Sequence, residues 1–176
     1  NLCNTSERNL IGINQILSTD ILFHEADCTD QNEMENIFEI YKDIYACIHF
    51  AAYKSVGESV ENPQKYYKNN IGSTEVLLKC LEKNKFKNLI FSSSCTVYGM
   101  PDTLPVNEDA PFKKAESPYG ETKQECEILI RKNLCNSISL RYFNPIGSHD
   151  SGLIGDCSSD NANNLVPIVT EVACGI

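Results

Sequence analysis

A tyrosine and a lysine stand four positions apart, at Tyr119 and Lys123, near the start of a segment with helical periodicity. Side chains at this spacing lie on the same face of an α-helix, so a phenol and an ammonium group would share one site. A nearby positive charge favours the phenolate, and we therefore expect Lys123 to lower the pKa of Tyr119 and make it a proton-transfer group. The spacing is common in helices, so the interpretation depends on its surroundings.

A run of hydroxyl side chains follows a predicted strand at Leu89–Phe91 and includes Ser94 and Thr96. Hydroxyls in that position could hydrogen-bond both a substrate alcohol and a phenolate and pass a proton between them. A serine run alone is more often a loop or a helix cap. Combined with the stretch Ser117–Gly120 and with Lys123, it indicates a catalytic group of Tyr119, Lys123 and Ser94, with Thr96 assisting.

The elements that must position these residues alternate between strands and helices. Short apolar runs predict buried strands at Ile21–Phe23, Ala46–Phe50, Leu89–Phe91 and Ile138–Leu140. Longer periodic segments predict helices over about Gln31–Tyr41, Pro63–Asn84 and Tyr119–Leu134, with a last one beginning near Leu165. This alternation predicts an α/β fold with a parallel sheet covered on both faces.

Two segments read as loops. The stretch Met100–Ser117 contains three prolines and several acidic residues, and we expect it to run over the surface. The stretch Gly147–Asn164 is rich in Ser, Asp, Asn and Gly, which predicts a long loop. In open α/β sheets ligands bind beyond the carboxyl ends of the strands, so the residues just after each predicted strand are the candidates for binding.

Composition excludes several classes of function. The chain has 176 residues, 41% of them hydrophobic, which suits one packed domain. A net charge of -9 and a pI near 4.8 provide no basic stripe for nucleic acid. No apolar run approaches the ~20 residues that span a bilayer, and we expect a soluble cytoplasmic protein without membrane contact.

The nine cysteines contain no C-x-x-C pair and no regular spacing. They predict reduced thiols in a cytosolic protein and neither a disulfide framework nor a zinc site. The three histidines, His24, His49 and His149, share no metal-ligand spacing, so we expect them in core or surface roles and predict no metal.

Several motifs in the same order resemble the UDP-glucose/UDP-galactose 4-epimerase family, within the extended short-chain dehydrogenase/reductase group. The matching stretches are Ile48–Ser59, Tyr66–Asn70, Phe91–Gly99, Ser117–Lys123, Leu140–Pro145 and Asn163–Leu165. The resemblance implies a Rossmann-like, doubly wound parallel sheet and a homodimeric isomerase of galactose metabolism. Such an enzyme holds NAD and inverts C4 of a UDP-hexose through a 4-keto sugar.

The same resemblance implies roles for individual residues. Tyr119 would remove the proton of the C4 hydroxyl, Lys123 would bind the nicotinamide ribose, and Ser94 would relay the proton. Contacts to NAD are implied for Asn1, Asn4, Asp27, Cys28, Phe50, Ala51, Lys54, Asn69, Ser94, Tyr119, Lys123 and Phe143. Contacts to the substrate are implied for Ser94, Tyr119, Asn144 and Asn164. Asp27 could equally cap the following helix, and Lys54 could be a solvated lysine.

The family pattern begins with a strand, a glycine-rich turn that cradles the pyrophosphate, and a second strand. None of these is found in the 176 residues, so we expect an incomplete sheet in which the first two strands and the glycine-rich loop are absent. The run at Ile21 would then have no ladder partner, and the chain alone would not form a complete NAD site. We predict a partial NAD-binding domain over residues 1–146 and the start of a substrate-binding region over 147–176.

Other functions stay open at this point. A catalytically inactive fragment or scaffold of the same fold is one alternative, although the catalytic group is intact. A sugar-nucleotide 4,6-dehydratase would be expected to carry an Asp-Glu pair where this chain has Ser94 and Cys95. A related 4-epimerase could act on UDP-glucuronate or an N-acetylated sugar.

Overall fold

The computed structural model describes residues 2, 7–133, 135–155 and 165–175. The chain divides into two compact units, one of Asn1–Glu25 with Asn144–Ile176 and the other of Ala26–Phe143. The second unit contains the parallel sheet and the candidate catalytic residues. The division predicted at residues 146 and 147 stays a prediction, because compactness alone does not test what each part binds.

Three of the four predicted strands and the predicted helices follow each other in the expected order. In chain order they are α1 (Arg8–Leu17), α2 (Gln31–Ile40), β1 (Cys47–His49), α3 (Val56–Glu61), α4 (Pro63–Tyr66), a π-helical turn (Tyr67–Ile71), α5 (Gly72–Asn84), β2 (Asn88–Ser94), a 3-10 turn (Cys95–Tyr98), α6 (Pro118–Lys132), β3 (Asn136–Tyr142) and α7 (Leu165–Ala173). The four predicted helices are present, and the one expected over Pro63–Asn84 is continuous but includes the π-helical turn. The sequence interpretation missed α1 and α3.

The strand predicted at Ile21–Phe23 is wrong. Residues 20–26 have no regular secondary structure, and Leu22 is 79% exposed. A strand needs a neighbour to accept and donate its ladder hydrogen bonds, and this run has none among the described residues. Its β-prone composition is therefore not sufficient to make it a strand.

The sheet is parallel and has the strand order β1-β2-β3. The register places Ile48, Ile90 and Ile138 side by side across the three strands. It also places Ser93 opposite Arg141 and Ser94 opposite Tyr142 at the carboxyl ends of β2 and β3. The parallel α/β class predicted from the sequence is confirmed.

One face of this sheet is packed and the other is not. The buried core joins Leu89 and Phe91 of β2 to residues of α2, α5 and α6, including Phe38, Leu81 and Ile130. On the opposite face Ile48 is 56% exposed and Ile138 is 59% exposed. The expectation of cover on both faces is therefore wrong for the described residues, because every helix in this core packs on the Phe91 side.

The segment between the 3-10 turn and α6 has neither helix nor strand and is largely exposed, as predicted for residues 100–117. Its start is tightly fixed. Gly99 has φ +58°, and a Cβ there would lie 2.5 Å from the Lys114 carbonyl oxygen. Only glycine fits this left-handed, crowded position without displacing the returning chain.

In the smaller unit, α1 contacts the segment around residues 153–155. A Cβ on Gly12 would lie 2.4 Å from the Leu153 carbonyl oxygen, so the close approach requires glycine. Asn9 Nδ2 donates to the Gly155 carbonyl at 3.3 Å. The described part of the loop expected over residues 147–164, namely 147–155, has no helix or strand. Among the described residues, no helix combines the length and the apolar character that crossing a membrane requires.

Candidate active site

The start of α6 determines where Tyr119 and Lys123 lie. Ser117 caps the helix, because its hydroxyl oxygen accepts a hydrogen bond from the Gly120 amide at 3.1 Å, and Pro118 occupies the first turn. The two candidate catalytic side chains then fall on one helical face, with Lys123 Nζ 5.8 Å from the centre of the Tyr119 ring. The shared site expected from their spacing is present.

Ser94 and Thr96 join this site from the end of β2. The Ser94 hydroxyl oxygen accepts from the Thr96 amide at 3.3 Å, which begins the 3-10 turn. A Cβ on Gly120 would lie 3.3 Å from Thr96 Cβ, so the turn contacts the start of α6 closely. Thr96 Oγ1 is buried and has no hydrogen-bond partner among the described residues, so its hydrogen-bonding capacity is unused in this structure.

Lys123 is almost fully buried, with 4% of its surface exposed. Its Nζ donates to the Ser92 carbonyl at 2.7 Å and lies 4.9 Å from the centre of the Phe91 ring. Burial disfavours the charged amine and lowers the pKa of Lys123 to about 8. Among the described residues, no carboxylate forms an ion pair with this lysine.

The predicted effect of Lys123 on Tyr119 is wrong for the protein by itself. The pKa of Tyr119 is raised, because burial disfavours the phenolate more than the interaction with the Ser94 side chain favours it. The spacing in sequence shows only that a positive charge lies nearby. It does not show desolvation, which here acts on both groups and keeps the phenol protonated.

A cluster of buried polar groups near Lys123 was not predicted from the sequence. Thr74 Oγ1 donates to the Asn70 carbonyl at 2.9 Å and lies 3.3 Å from His49 Nε2 and 3.2 Å from Cys126 Sγ. Burial, with a smaller contribution from Lys123, lowers the pKa of His49 to about 4. His49 is thus a neutral core histidine at neutral pH, in line with the core or surface role expected for it.

Asn70 connects the loop after β1 to the catalytic helix. Its side chain accepts from the Tyr53 amide at 2.9 Å and donates to the Tyr53 carbonyl at 3.0 Å and to Thr122 Oγ1 at 3.1 Å. Thr122 in turn donates to the Tyr119 carbonyl at 2.7 Å. Asn70 belongs to the π-helical turn, and such turns are frequent at functional sites. The neighbouring Asn69 donates to the Asn70 side chain at 3.0 Å.

The residues just beyond the strands line the carboxyl edge of the sheet. Phe50 follows β1 and Phe143 follows β3, and each is 62% exposed. Ala51 and Lys54 are exposed in the loop after β1. This edge therefore combines two aromatic rings, the small residues Ser92–Ser94, a buried amine and an unpartnered hydroxyl. Such groups suit the binding of a ring and a ribose of a dinucleotide.

Asp27 and Cys28 lie in the turn before α2. The Asp27 carboxylate accepts from the amide and the hydroxyl of Thr29, at 2.8 and 2.7 Å. The N-cap of α2 is Asp30, so the alternative in which Asp27 caps this helix is wrong. Burial raises the pKa of Cys28, which keeps it a neutral thiol.

Four predicted site residues are left, namely Asn1, Asn4, Asn144 and Asn164. Asn1, Asn4 and Asn164 lie outside the described residues. Asn144 is exposed at the first position after Phe143 and belongs to the other compact unit. Their implied contacts with NAD or substrate stay predictions.

Fold and site together define an α/β dinucleotide-binding class of protein with a tyrosine, a lysine and a serine at the carboxyl edge of the sheet. The model of the NAD dependent epimerase/dehydratase family matches residues 4–169. The chain belongs to that family. The family description names NAD, the cofactor expected from the sequence.

Within this family the chain is similar in sequence to proteins named UDP-glucose 4-epimerase. A UDP-glucose 4-epimerase of Dictyostelium discoideum is 45% identical over 99% of this chain, and one of Bacillus subtilis is 44% identical over 99%. The alignments cover 52% of each of those proteins, so the chain spans about half the length of the curated relatives it matches.

Solved structures agree in fold. The chain is similar to a UDP-glucose 4-epimerase from Bifidobacterium longum in complex with NAD+ and UDP, with a TM-score of 0.93, 41% identity and coverage of 98% of this chain and 52% of that one. A UDP-glucose 4-epimerase from Stenotrophomonas maltophila with bound NAD and formylated UDP-arabinopyranose has a TM-score of 0.93, 38% identity and coverage of 99% and 53%. The Rossmann-like fold class predicted from the sequence is confirmed.

Proposed function

We propose that the protein containing this chain catalyses NAD-dependent 4-epimerisation of a UDP-hexose, UDP-glucose or UDP-galactose. The observation that carries the proposal is the convergence of Tyr119, Lys123 and Ser94 at the carboxyl edge of β2. Relatives named UDP-glucose 4-epimerase support the substrate class. Ser94 and Cys95, in the positions where a dehydratase would be expected to carry an acid pair, favour epimerisation over elimination of water.

In this proposal Tyr119 exchanges a proton with the C4 hydroxyl of the sugar. Ser94 lies beside the phenol and carries the proton between the two oxygens, as hydroxyls can donate and accept at once. Thr96, whose hydroxyl is unpartnered among the described residues, is the second candidate for this relay. Lys123 would remain protonated at neutral pH with its pKa near 8 and would supply the local positive charge.

The residues that would hold NAD fit the group where they are described. Phe50, Ala51 and Phe143 would contact the cofactor, and Lys123 would donate to a hydroxyl of the nicotinamide ribose. When bound there, NAD would supply hydride transfer, which would interconvert the C4 alcohol and a 4-keto sugar. Contacts of Asp27, Cys28, Lys54 and Asn69 with the cofactor belong to the proposal as well.

Several further properties are proposed from the same likeness. Asn1 and Asn4 would contact the cofactor, and Asn144 and Asn164 would contact the sugar nucleotide. Residues 1–146 would serve NAD binding and residues 147–176 would begin the substrate-binding region. The whole protein would be a cytoplasmic homodimer.

The test is conversion of UDP-galactose to UDP-glucose by the whole protein that contains this chain. Tyr119→Phe removes the transferable proton and keeps most of the ring packing, so we expect kcat to fall by about 100-fold or more. Tyr45→Phe is the matched control, because Tyr45 is 85% exposed, and it should retain full activity. Activity near wild type in Tyr119→Phe would contradict the assigned role, and an inactive wild type would contradict the proposed reaction.

A further inference from the structure

Glu127 lies on the same face of α6 as Tyr119 and Lys123, about one turn beyond the lysine. Its side chain is 1% exposed. A buried carboxylate is costly unless its oxygens are hydrogen-bonded or paired with positive charge. The way in which Glu127 meets this requirement links the catalytic helix to the sheet.

Four donors surround the Glu127 carboxylate. Ser93 Oγ donates to Oε1 at 2.6 Å, and Arg141 donates to both oxygens, from Nε at 3.0 Å and Nη2 at 2.9 Å. Arg131 Nη2 completes the set at 2.8 Å. Burial raises the pKa of Glu127, but the hydrogen bonds from Arg141 and Ser93 lower it by more, so the group stays ionised.

Three of the four donor atoms belong to residues of two neighbouring strands, whereas Arg131 is on α6 itself. Ser93 and Arg141 are direct partners in the β2–β3 register. One helical carboxylate therefore fixes α6 against both strands at the level of Ser93. Ser94, the next residue in β2, is the hydroxyl that faces Tyr119.

Arg141 also contacts the far end of the segment formed by residues 93–98. Its guanidinium carbon lies 4.8 Å from the centre of the Tyr98 ring, at the end of the 3-10 turn. Its Nη1 donates to the Glu108 carbonyl in the surface segment at 3.0 Å. Residues 93–98 are thus attached at both ends to the Glu127–Arg141 pair.

We propose that Glu127, acting through Ser93 and Arg141, is a positioning residue that sets the Ser94 hydroxyl opposite the Tyr119 phenol. In this proposal Glu127 acts through these side chains and not by contact with substrate or cofactor. The inference rests on the proposed function for its kinetic consequence. Its structural consequence, the ordering of residues 93–98, is independent of any reaction.

The sharpest variant is Ser93→Ala in the whole protein, because it removes one hydroxyl and leaves the ion pair of Glu127 and Arg141 intact. A small displacement of a reacting group can cost up to 100-fold, so we expect kcat to fall by about tenfold with KM changed by less than about threefold. Ser59→Ala is the matched control. Its hydroxyl is also fully buried and donates within α3 to the Val56 carbonyl at 2.6 Å, so a similar loss of stability should leave kcat unchanged.

A double-mutant cycle separates positioning from general destabilisation. If Glu127 and Ser93 act through Ser94, then adding Ser93→Ala to Ser94→Ala should lower kcat by less than about twofold further. Equal losses in both backgrounds would overturn the proposal. Equal losses of kcat in Ser93→Ala and Ser59→Ala would overturn it too.

Hydrogen exchange gives a readout that does not need activity. In Ser93→Ala we expect faster exchange confined to the peptides that cover residues 92–98, measured by mass spectrometry. Glu127→Gln should have the same effect, and Ser59→Ala should not. Unchanged exchange at 92–98 in Ser93→Ala would contradict the positioning role, whereas an inactive wild type with the expected exchange pattern would contradict only the proposed reaction.

Discussion

The two faces of the three-stranded sheet differ in what they require of their residues. On the face that packs against α5 and α6, Phe91 is 2% exposed, and the polar groups nearby, such as Glu127 and Thr74, have hydrogen-bond partners. On the opposite face Ile48, Ile90 and Ile138 form an apolar row, and its outer members are more than half exposed. Tyr119 and Lys123 belong to α6 on the packed face, which can hold an amine and a phenol in defined, desolvated positions.

The contrast teaches that burial and chemistry are coupled in this protein. The packed face shifts the pKa values of Lys123, His49 and Tyr119 toward their neutral forms, mainly through desolvation. The other face has the apolar side chains that are typical of a buried parallel sheet, but these side chains are exposed. Three measurements on the 176-residue chain can challenge or refine this contrast.

The largest expected effect is the difference between Phe91→Ala and Ile138→Ala. Loss of the buried ring should lower the free energy of unfolding by about 3–5 kcal/mol, whereas loss of the exposed Ile138 side chain should cost about 1 kcal/mol or less. Urea unfolding followed by circular dichroism measures both. Equal costs would mean that the two faces are packed alike and would remove the basis of the comparison.

A smaller effect is expected for Lys123→Met as a function of pH. The pKa of Lys123 is about 8 in the folded protein, below its value of about 10.4 in the unfolded chain. Between these values the unfolded state binds the extra proton, so wild type should gain stability relative to Lys123→Met, on the order of 2–3 kcal/mol, as pH rises from about 8 to about 10.

The control for this experiment is Lys79→Met, an exposed lysine of α5. The stability difference between wild type and Lys79→Met should stay nearly constant over the same pH range. A flat difference for Lys123→Met as well would show that the amine is solvated in the folded protein and that water enters the packed face.

The smallest effect is expected for His49→Gln in acid. The pKa of His49 is about 4 in the folded protein and about 6.5 when unfolded, so folding favours the neutral ring. Wild type should lose on the order of 1–2 kcal/mol relative to His49→Gln as pH falls from about 6.5 to about 4.5, since only part of the window precedes general acid unfolding. His149→Gln, in an exposed loop, serves as the control for this slope. A slope for His49→Gln equal to that of the control would place His49 in contact with water.

Much of the fold and the cluster of candidate residues could be predicted because both depend on local patterns. Helical periodicity placed Tyr119 and Lys123 on one face, and parallel strands bring Ser94 to the same edge as Phe50 and Phe143. The partners Glu127 and Arg141 could not be predicted in this way. Their spacing in sequence contains no signal. They are neighbours because α6 packs against β2 and β3, whose register places Ser93 beside Arg141.

The sequence by itself determined the alternation of the three strands with the helices that pack on them and the residue types at the carboxyl edge of the sheet, since these follow from periodicity and from the direction of parallel strands. Tertiary structure decided whether the run at Ile21 forms a strand, which face of the sheet is covered, and in which direction the pKa of Tyr119 moves. Each of these depends on what lies across space. A ladder partner, a packed neighbour and the exclusion of water are properties of the folded chain and not of any one segment.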